Sequence, residues 1–100
     1  MYVTVRRYVT DSKSVNEVLK RVKAEFVPII SKVPGFVSYA VLDAGNGTIA
    51  SISTFESKSG ADESTRRAAE WVKTVSSLLP NPPQVTAGDI IISTWQVPQK

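Results

Sequence analysis

The chain opens with a run of residues that alternate between apolar and polar positions. One side of an extended chain over residues 2–9 carries three valines, and the other side carries Tyr2, Thr4, Arg6 and Tyr8. A period of two in a segment rich in β-branched and aromatic residues is typical of a β-strand. The pattern therefore predicts a first strand over residues 2–9.

The next segment has apolar residues at steps of three and four, as an amphipathic helix requires. The stripe consists of Val15, Val18, Leu19, Val22, Phe26, Ile29, Ile30 and Val33. Ser14 and Glu17 have the spacing of a capping box, so we expect the helix to start at Ser14. Pro28 lies inside the stripe and has no N–H for the carbonyl of Ala24, which predicts a kink or a break.

Two strands joined by a tight turn follow the first helix. Pro34 and Gly35 end the helix, and the patterns predict strands over residues 36–42 and 48–55. Asn46 and Gly47 both tolerate a positive φ, which the primed turns of β-hairpins need. The Asn-Gly pair therefore predicts a hairpin.

A second helix and a last strand complete the pattern. The helix is predicted to begin near Ser57 or Ser59 and to end at Pro80. Its predicted apolar stripe consists of Ala61, Thr65, Ala68, Val72, Val75 and Leu79. The last strand is predicted over residues 85–97, with three consecutive isoleucines and Trp95.

The order βαββαβ predicts one α+β domain over residues 1–100. It is the ferredoxin-like arrangement, a four-stranded antiparallel sheet with two helices on one face. The second strand is apolar on both sides, with Phe36, Ala40 and Leu42 on one and Val37, Tyr39 and Val41 on the other. Because two helices shield one face only, the other face needs a cover. We expect an identical subunit, and hence a homodimer with its sheets packed face to face.

Composition excludes several kinds of chemistry. Among 100 residues there is no cysteine and no histidine, which excludes thiolate nucleophiles, imidazole bases and zinc sites that depend on either residue. Acidic residues show no metal-loop spacing, so no metal is expected. Residues 1–9 do not resemble a secretory signal and no run is long enough to span a membrane, which predicts a cytoplasmic protein with no membrane partner.

The charge pattern argues against nucleic acid as a partner. The net charge is +3, with both signs interspersed along the chain. RNA-recognition domains share the predicted strand order, and residues 35–39 are similar to the end of their aromatic motif. In those domains the motif lies on the third strand, whereas here it falls on the second. We therefore expect no nucleic-acid partner.

The chain resembles the antibiotic biosynthesis monooxygenase-like proteins of the dimeric α/β-barrel superfamily. The resemblance rests on the sequence segments 26–30, 34–39 and 53–56 and extends over nearly the whole chain. It implies pairing as a dimeric α/β barrel, and activities that include cofactor-free oxidation of polycyclic phenols and haem breakdown. Haem-degrading relatives use a strand-one asparagine, which falls at about Arg6 here, and a histidine that this chain lacks. Haem degradation is therefore disfavoured.

The resemblance to the phenol-oxidising relatives implies an apolar pocket with a few hydrogen-bond donors. The candidate substrate-binding residues are Arg6, Tyr39, Ser64, Arg67 and Trp71. In this hypothesis Trp71 stacks on an aromatic ligand and its N–H donates to it, Arg67 favours an anion, and Ser64 orients it. Core packing for Trp71 and a solvated position for Arg67 are the alternatives.

Two functions are consistent with these observations. The first is a cofactor-independent monooxygenase that acts on or binds a small phenol or quinol. The alternative is a non-catalytic homodimer that binds a hydrophobic compound or serves in assembly, which the missing histidine and cysteine favour. Neither function requires a cofactor.

Overall fold

The computed structural model describes residues 1–94. The strands are β1 (Tyr2–Val9), β2 (Phe36–Gly45), β3 (Thr48–Phe55) and β4 (Gln84–Asp89). The helical segments are a 3-10 turn (Ser12–Ser14), α1 (Val15–Arg21), a π-helical turn (Val22–Phe26), α2 (Val27–Ile30) and α3 (Lys58–Thr74). No helix within residues 1–94 combines the length and apolar character needed to cross a membrane.

The four strands form one antiparallel sheet in the order β2-β3-β1-β4. A single apolar core lies between one face of this sheet and the helices. Its buried members come from the first helical region, from β3 and from α3, and include Phe26, Ile30, Phe55 and Ala68. The predicted α+β, ferredoxin-like fold is confirmed.

The predicted hairpin is present between β2 and β3. Asn46 and Gly47 have φ values of 55° and 80°, the left-handed values that primed turns require. Gly47 also lies so close to β1 that a Cβ there would stand 2.0 Å from the carbonyl oxygen of Thr10. Only glycine fits this position without a shift of the backbone.

The first helix differs from the prediction at its start and agrees with it near Pro28. Ser14 makes no side-chain cap, and the Asp11 carboxylate instead accepts the Lys13 N–H at 3.0 Å. The predicted capping box is wrong because a 3-10 turn precedes α1 and already holds Ser14 in helical geometry. At Pro28 the helix is not broken. A π-helical turn immediately before Val27 accommodates the missing N–H.

The second helix ends earlier than predicted. It stops at Thr74, and the segment up to Pro80 continues as hydrogen-bonded turns. Its deeply buried residues are Gly60, Ala61, Ser64, Ala68 and Trp71. The predicted stripe is correct at Ala61, Ala68, Val75 and Leu79, which are all buried. Along α3 it is rotated, since Ser64 and Trp71 are buried in place of Thr65 and Val72.

The last strand is shorter than predicted. β4 ends at Asp89, which pairs with Tyr2, and the N–H of Ile90 donates to the Met1 carbonyl at 2.9 Å. Residues 91–94 make no further strand pairing. Ile91 and Ile92, predicted to lie in the strand, are 86% and 90% exposed. Trp95 and Val97, also predicted there, lie outside the described residues.

The two faces of the sheet carry different side chains. The face covered by the helices, the covered face, buries four polar residues of the two central strands: Thr4, Arg6, Ser51 and Ser53. The opposite face, the open face, carries partly or fully exposed apolar residues, among them Val3, Val5, Val9, Leu42 and Ile52. The prediction of apolar residues on both faces is confirmed, although the covered face also holds polar groups.

The predicted face of Phe36 is wrong. A register shift between Phe36 and Ser38 turns Phe36 toward the covered face. Its ring meets that of Phe55 edge to face there, with centroids 5.9 Å apart. Side chains along a strand point to the two faces of the sheet in turn. One extra residue shifts this alternation, so the residues before and after it exchange faces relative to a regular strand.

Candidate functional site

A small cavity lies between the covered face and the helices. Its walls include Arg6 and Tyr8 of β1, Tyr39 of β2, Phe26 of the π-helical turn and Trp71 of α3. Its volume is about 30 Å³. A water needs about 10–15 Å³, so the space fits one or two water molecules and is too small for an aromatic ring.

A wider groove of about 250 Å³ adjoins this cavity. Arg6, Tyr8 and Ala68 line both spaces. The remaining walls of the groove come from α3 and from the segment that leads into β4: Thr65, Ala69, Val72, Pro82, Pro83 and Val85. The groove is therefore open to a small molecule, and the side chains that it shares with the cavity form its inner wall.

Arg6 is the most unusual residue of the site. It is 3% exposed, and its Nη2 donates to Thr65 Oγ1 at 2.5 Å. Within residues 1–94 no carboxylate forms an ion pair with it. Burial lowers the pKa of the Arg6 guanidinium, which Tyr8 and Tyr39 partly offset. A buried cation without a counter-charge is costly, and such groups concentrate at functional sites.

Two tyrosines flank this guanidinium. Burial raises the pKa of the Tyr8 hydroxyl, and burial also raises the pKa of Tyr39 to about 12. Both hydroxyls therefore keep their protons at neutral pH and can donate hydrogen bonds. The Tyr39 ring is fixed by an edge-to-face contact with Phe26, with centroids 5.7 Å apart.

Trp71 contributes its ring to the cavity wall, and its N–H is already engaged. The ring lies 5.4 Å from that of Phe26 between centroids. Its Nε1 donates to Glu25 Oε1 at 3.1 Å, and Glu25 does not line the cavity. The indole N–H is therefore not directed at a ligand, and the ring lines a cavity too small to admit an aromatic compound.

The other two candidate residues lie elsewhere. Ser64 is fully buried and donates to the Ala61 carbonyl of its own helix at 2.8 Å. Arg67 pairs with Glu63 through Nε at 2.7 Å and lines a shallow surface groove on the outer side of Trp71. The structure thus brings Arg6, Tyr39 and Trp71 together around the cavity and leaves Ser64 and Arg67 outside it.

Tyr8 and Thr65 belong to the site and were not among the candidates. The signal for Tyr8 was available, because residues two apart on a strand face the same side and Arg6 precedes it by two. Thr65 gave no such signal, since its contact with Arg6 joins residues 59 positions apart.

No metal centre forms within the described part of the chain. Residues 1–94 contain no group of three or more acidic side chains close enough to hold an ion. The donors of the site are a guanidinium and two protonated phenols. The hydroxyls of Ser51 and Thr65 also line it, and Thr65 accepts from Arg6 and donates to the Ala61 carbonyl. Such a set suits an anion or a phenolic oxygen rather than a cation.

The fold is shared with several solved structures. The monooxygenase from the gene ActVA-Orf6 of Streptomyces coelicolor, solved with the ligand Nanaomycin D, has a TM-score of 0.78 and 20% identity, covering 96% of this chain and 92% of that one. A Nitrosomonas europaea protein of unknown function, NE2512, has a TM-score of 0.75 and 16% identity, covering 97% and 95%.

A structure described as an antibiotic biosynthesis monooxygenase has a TM-score of 0.71 and 16% identity, covering 92% of this chain and all of that one. No protein-family model matches the sequence, and no curated protein matches it. At these identities the likeness concerns the fold. The resemblance inferred from the sequence is confirmed at that level: the chain has the fold of the antibiotic biosynthesis monooxygenase-like proteins.

Proposed function

We propose that the chain binds a small phenol or quinol in the groove beside Arg6. The observation that carries the proposal is the buried Arg6 guanidinium, which Tyr8 and Tyr39 flank, which Thr65 accepts from, and which no carboxylate of residues 1–94 pairs with. A phenolic oxygen placed there supplies the missing negative charge. The groove of about 250 Å³ lies slightly below the usual range of about 300–1,000 Å³, which favours a compound of one or two rings.

The activity proposed at this site is oxidation of that compound without a cofactor. A phenolate is rich in electrons, and preorganised donors stabilise negative charge as it develops. In the overall reaction a ring C–H becomes C=O and the phenolic C–OH becomes the second C=O of a quinone. One oxygen atom of O2 enters the product, and the other leaves as water with the ring hydrogen and the phenolic hydrogen. The substrate supplies all four electrons, so the chain's residues bind, orient and stabilise charge.

Oxygen uptake with hydroxylated naphthalenes tests this proposal. We expect consumption above the uncatalysed rate for the unaltered chain and at least about tenfold less for Arg6→Met, which loses a charge-assisted hydrogen bond. Arg67→Met, on the outer side of α3, should retain the activity. Uptake equal to the background for the unaltered chain would contradict the oxidation, and equal uptake by Arg6→Met would contradict the role of Arg6.

Binding without catalysis is the second candidate function. It is favoured by the composition of the site, which within residues 1–94 offers donors and contains no carboxylate among its lining residues. In that case 4-nitrophenol should raise the melting temperature of the chain by mass action without product formation. Stabilisation without oxygen consumption would select this function over the first.

We also propose that the chain forms a homodimer through its open face. Val3, Val5, Leu42 and Ile52 form an apolar surface on the central strands that the helices do not cover. An identical surface on a second copy is the simplest apolar partner. In a sample mixed from labelled and unlabelled chains, we expect nuclear Overhauser contacts between the Val5 and Ile52 methyl groups of different copies. Their absence would contradict pairing through this face.

A further inference from the structure

The π-helical turn Val22–Phe26 has a consequence for the candidate site. Pro28 has no N–H, so the Ala24 carbonyl cannot receive an ordinary helical hydrogen bond. The chain responds with a wider turn, in which the Val27 N–H donates to the Val22 carbonyl five residues before it. Such turns occur frequently at functional sites because they change the direction of nearby side chains.

In this structure the turn places two neighbouring residues against Trp71. Phe26 is buried and packs its ring on the indole ring. The Glu25 carboxylate accepts the indole N–H at 3.1 Å, across 46 residues of sequence. The turn therefore contacts both the face and the polar edge of the one tryptophan that lines the cavity within residues 1–94.

The Glu25 carboxylate is itself held in place. Arg21, one helical turn earlier, donates through Nε to Glu25 Oε2 and through Nη2 to Oε1 at 3.3 Å. The carboxylate is thus fixed on one side by its own helix and on the other side by α3. A bond of this kind restricts rotation of the indole ring, since rotation would leave the N–H without its acceptor.

We infer that Glu25 is a positioning residue, which holds the Trp71 ring in the wall of the cavity and thereby supports Arg6, Tyr8 and Ala68, the residues that the cavity shares with the ligand groove. Three observations support this role: the hydrogen bond to Nε1, the place of Trp71 in the cavity wall, and the position of Glu25 outside it. The effect of Glu25 on ligand binding rests on the proposed function. Its effect on the position of the Trp71 ring does not.

Hydrogen exchange of the indole N–H, measured by NMR without ligand, tests the first part. Trp95→Phe identifies the Trp71 signal and serves as the background. We expect Glu25→Ala to accelerate exchange about tenfold, and Glu25→Gln, which keeps an acceptor, to stay within about twofold of the background. Glu17→Ala removes a carboxylate of α1 that does not contact Trp71 and is the matched control. An unchanged Trp71 signal in Glu25→Ala would overturn the inference.

Titration with 4-nitrophenol tests the second part in the same variants. We expect its Kd to rise about fivefold in Glu25→Ala and to be restored in Glu25→Gln. Equal Kd values in the background and in Glu25→Ala would overturn the effect on the ligand. If the background does not bind the probe while its indole exchange still depends on Glu25, the proposed function fails and the positioning of Trp71 stands.

Discussion

Beneath the helices β1 presents Thr4 and Arg6, whereas on the face turned away from them it presents Val3 and Val5. β3 behaves in the same way, since its serines lie under the helices and Ile52 lies on the open face. Buried polar residues and exposed apolar ones are the informative exceptions in a folded chain. Here both exceptions occur in the same two strands, on opposite sides.

The difference between the two faces indicates two separate functions, one for each face of the sheet. A face that served only as a core would gain stability from apolar residues in place of a buried guanidinium. A face that met only water would gain nothing from a patch of valine and isoleucine. The covered face is therefore suited to hold a polar ligand, and the open face is suited to a second copy. Substitutions on the covered face or on the open face test this difference.

The largest effect is expected on the open face. Ile52 lies at the centre of the sheet, between Val5 and Ala40 in register. Ile52→Lys places a charge in the proposed interface and should weaken the dimer at least about 100-fold, or about 3 kcal/mol. Sedimentation equilibrium measures the change. Glu70→Lys, an exposed position on α3, is the control, and equal dissociation of the two variants would argue against this interface.

The next effect concerns alkaline pH and the covered face. The pKa of Tyr39 is raised by burial from 10.0 to about 12. Below pH 10 the hydroxyl is protonated in the folded and the unfolded chain alike, so its contribution is fully present there. Between about pH 10 and 12 only the unfolded chain releases the proton readily, and the unfolding free energy should fall by about 2 to 3 kcal/mol.

Denaturant titrations at a series of pH values measure this fall. Tyr39→Phe cannot ionise, so its unfolding free energy should decline less over the same interval. Parallel curves for the two chains would show that Tyr39 is not buried as described.

A smaller effect of opposite sign is expected for Arg6→Met. The substitution removes a buried charge that has no counter-ion among residues 1–94 and keeps an unbranched side chain. It should raise the unfolding free energy by about 1 to 2 kcal/mol. Chemical denaturation measures the rise. A gain in stability together with a loss of 4-nitrophenol binding is the signature of a residue kept for function, and a marked loss of stability would identify Arg6 as structural.

The smallest effect is expected for Thr65→Val, which is nearly isosteric. It removes the acceptor of the Arg6 hydrogen bond and should weaken 4-nitrophenol binding by about 1 kcal/mol, roughly fivefold. Calorimetric titration measures the loss. Thr65→Ser keeps the hydroxyl and should bind as the unaltered chain does, so a similar loss in both variants would point to packing instead.

Much of the fold follows from local patterns in the sequence. Asn46-Gly47 specifies its hairpin through φ values alone, and the alternation in residues 2–9 specifies β1. The end of β4 at Asp89 does not follow in this way, because it depends on pairing with β1, which is distant in the sequence. The face on which Phe36 lies depends on a register shift, which the spacing of apolar residues in the sequence does not indicate.

The candidate site was predictable only in part. Arg6 lies on a strand with regular pairing throughout, and Tyr39 lies in the part of β2 where pairing is regular again after the register shift. The structure brings both to the cavity with Trp71. Ser64 lies outside because the buried stripe of α3 is centred on it, and this rotation is set by packing on the sheet. The bond between Trp71 and Glu25 joins distant parts of the chain, which no local pattern encodes.

Sedimentation equilibrium of the unaltered chain at micromolar concentration is the most direct test of how the two faces divide these tasks. We expect a particle of twice the 10.9 kDa chain mass, in which a second copy covers the apolar open face. A particle of single-chain mass would leave that face in water and contradict the central claim.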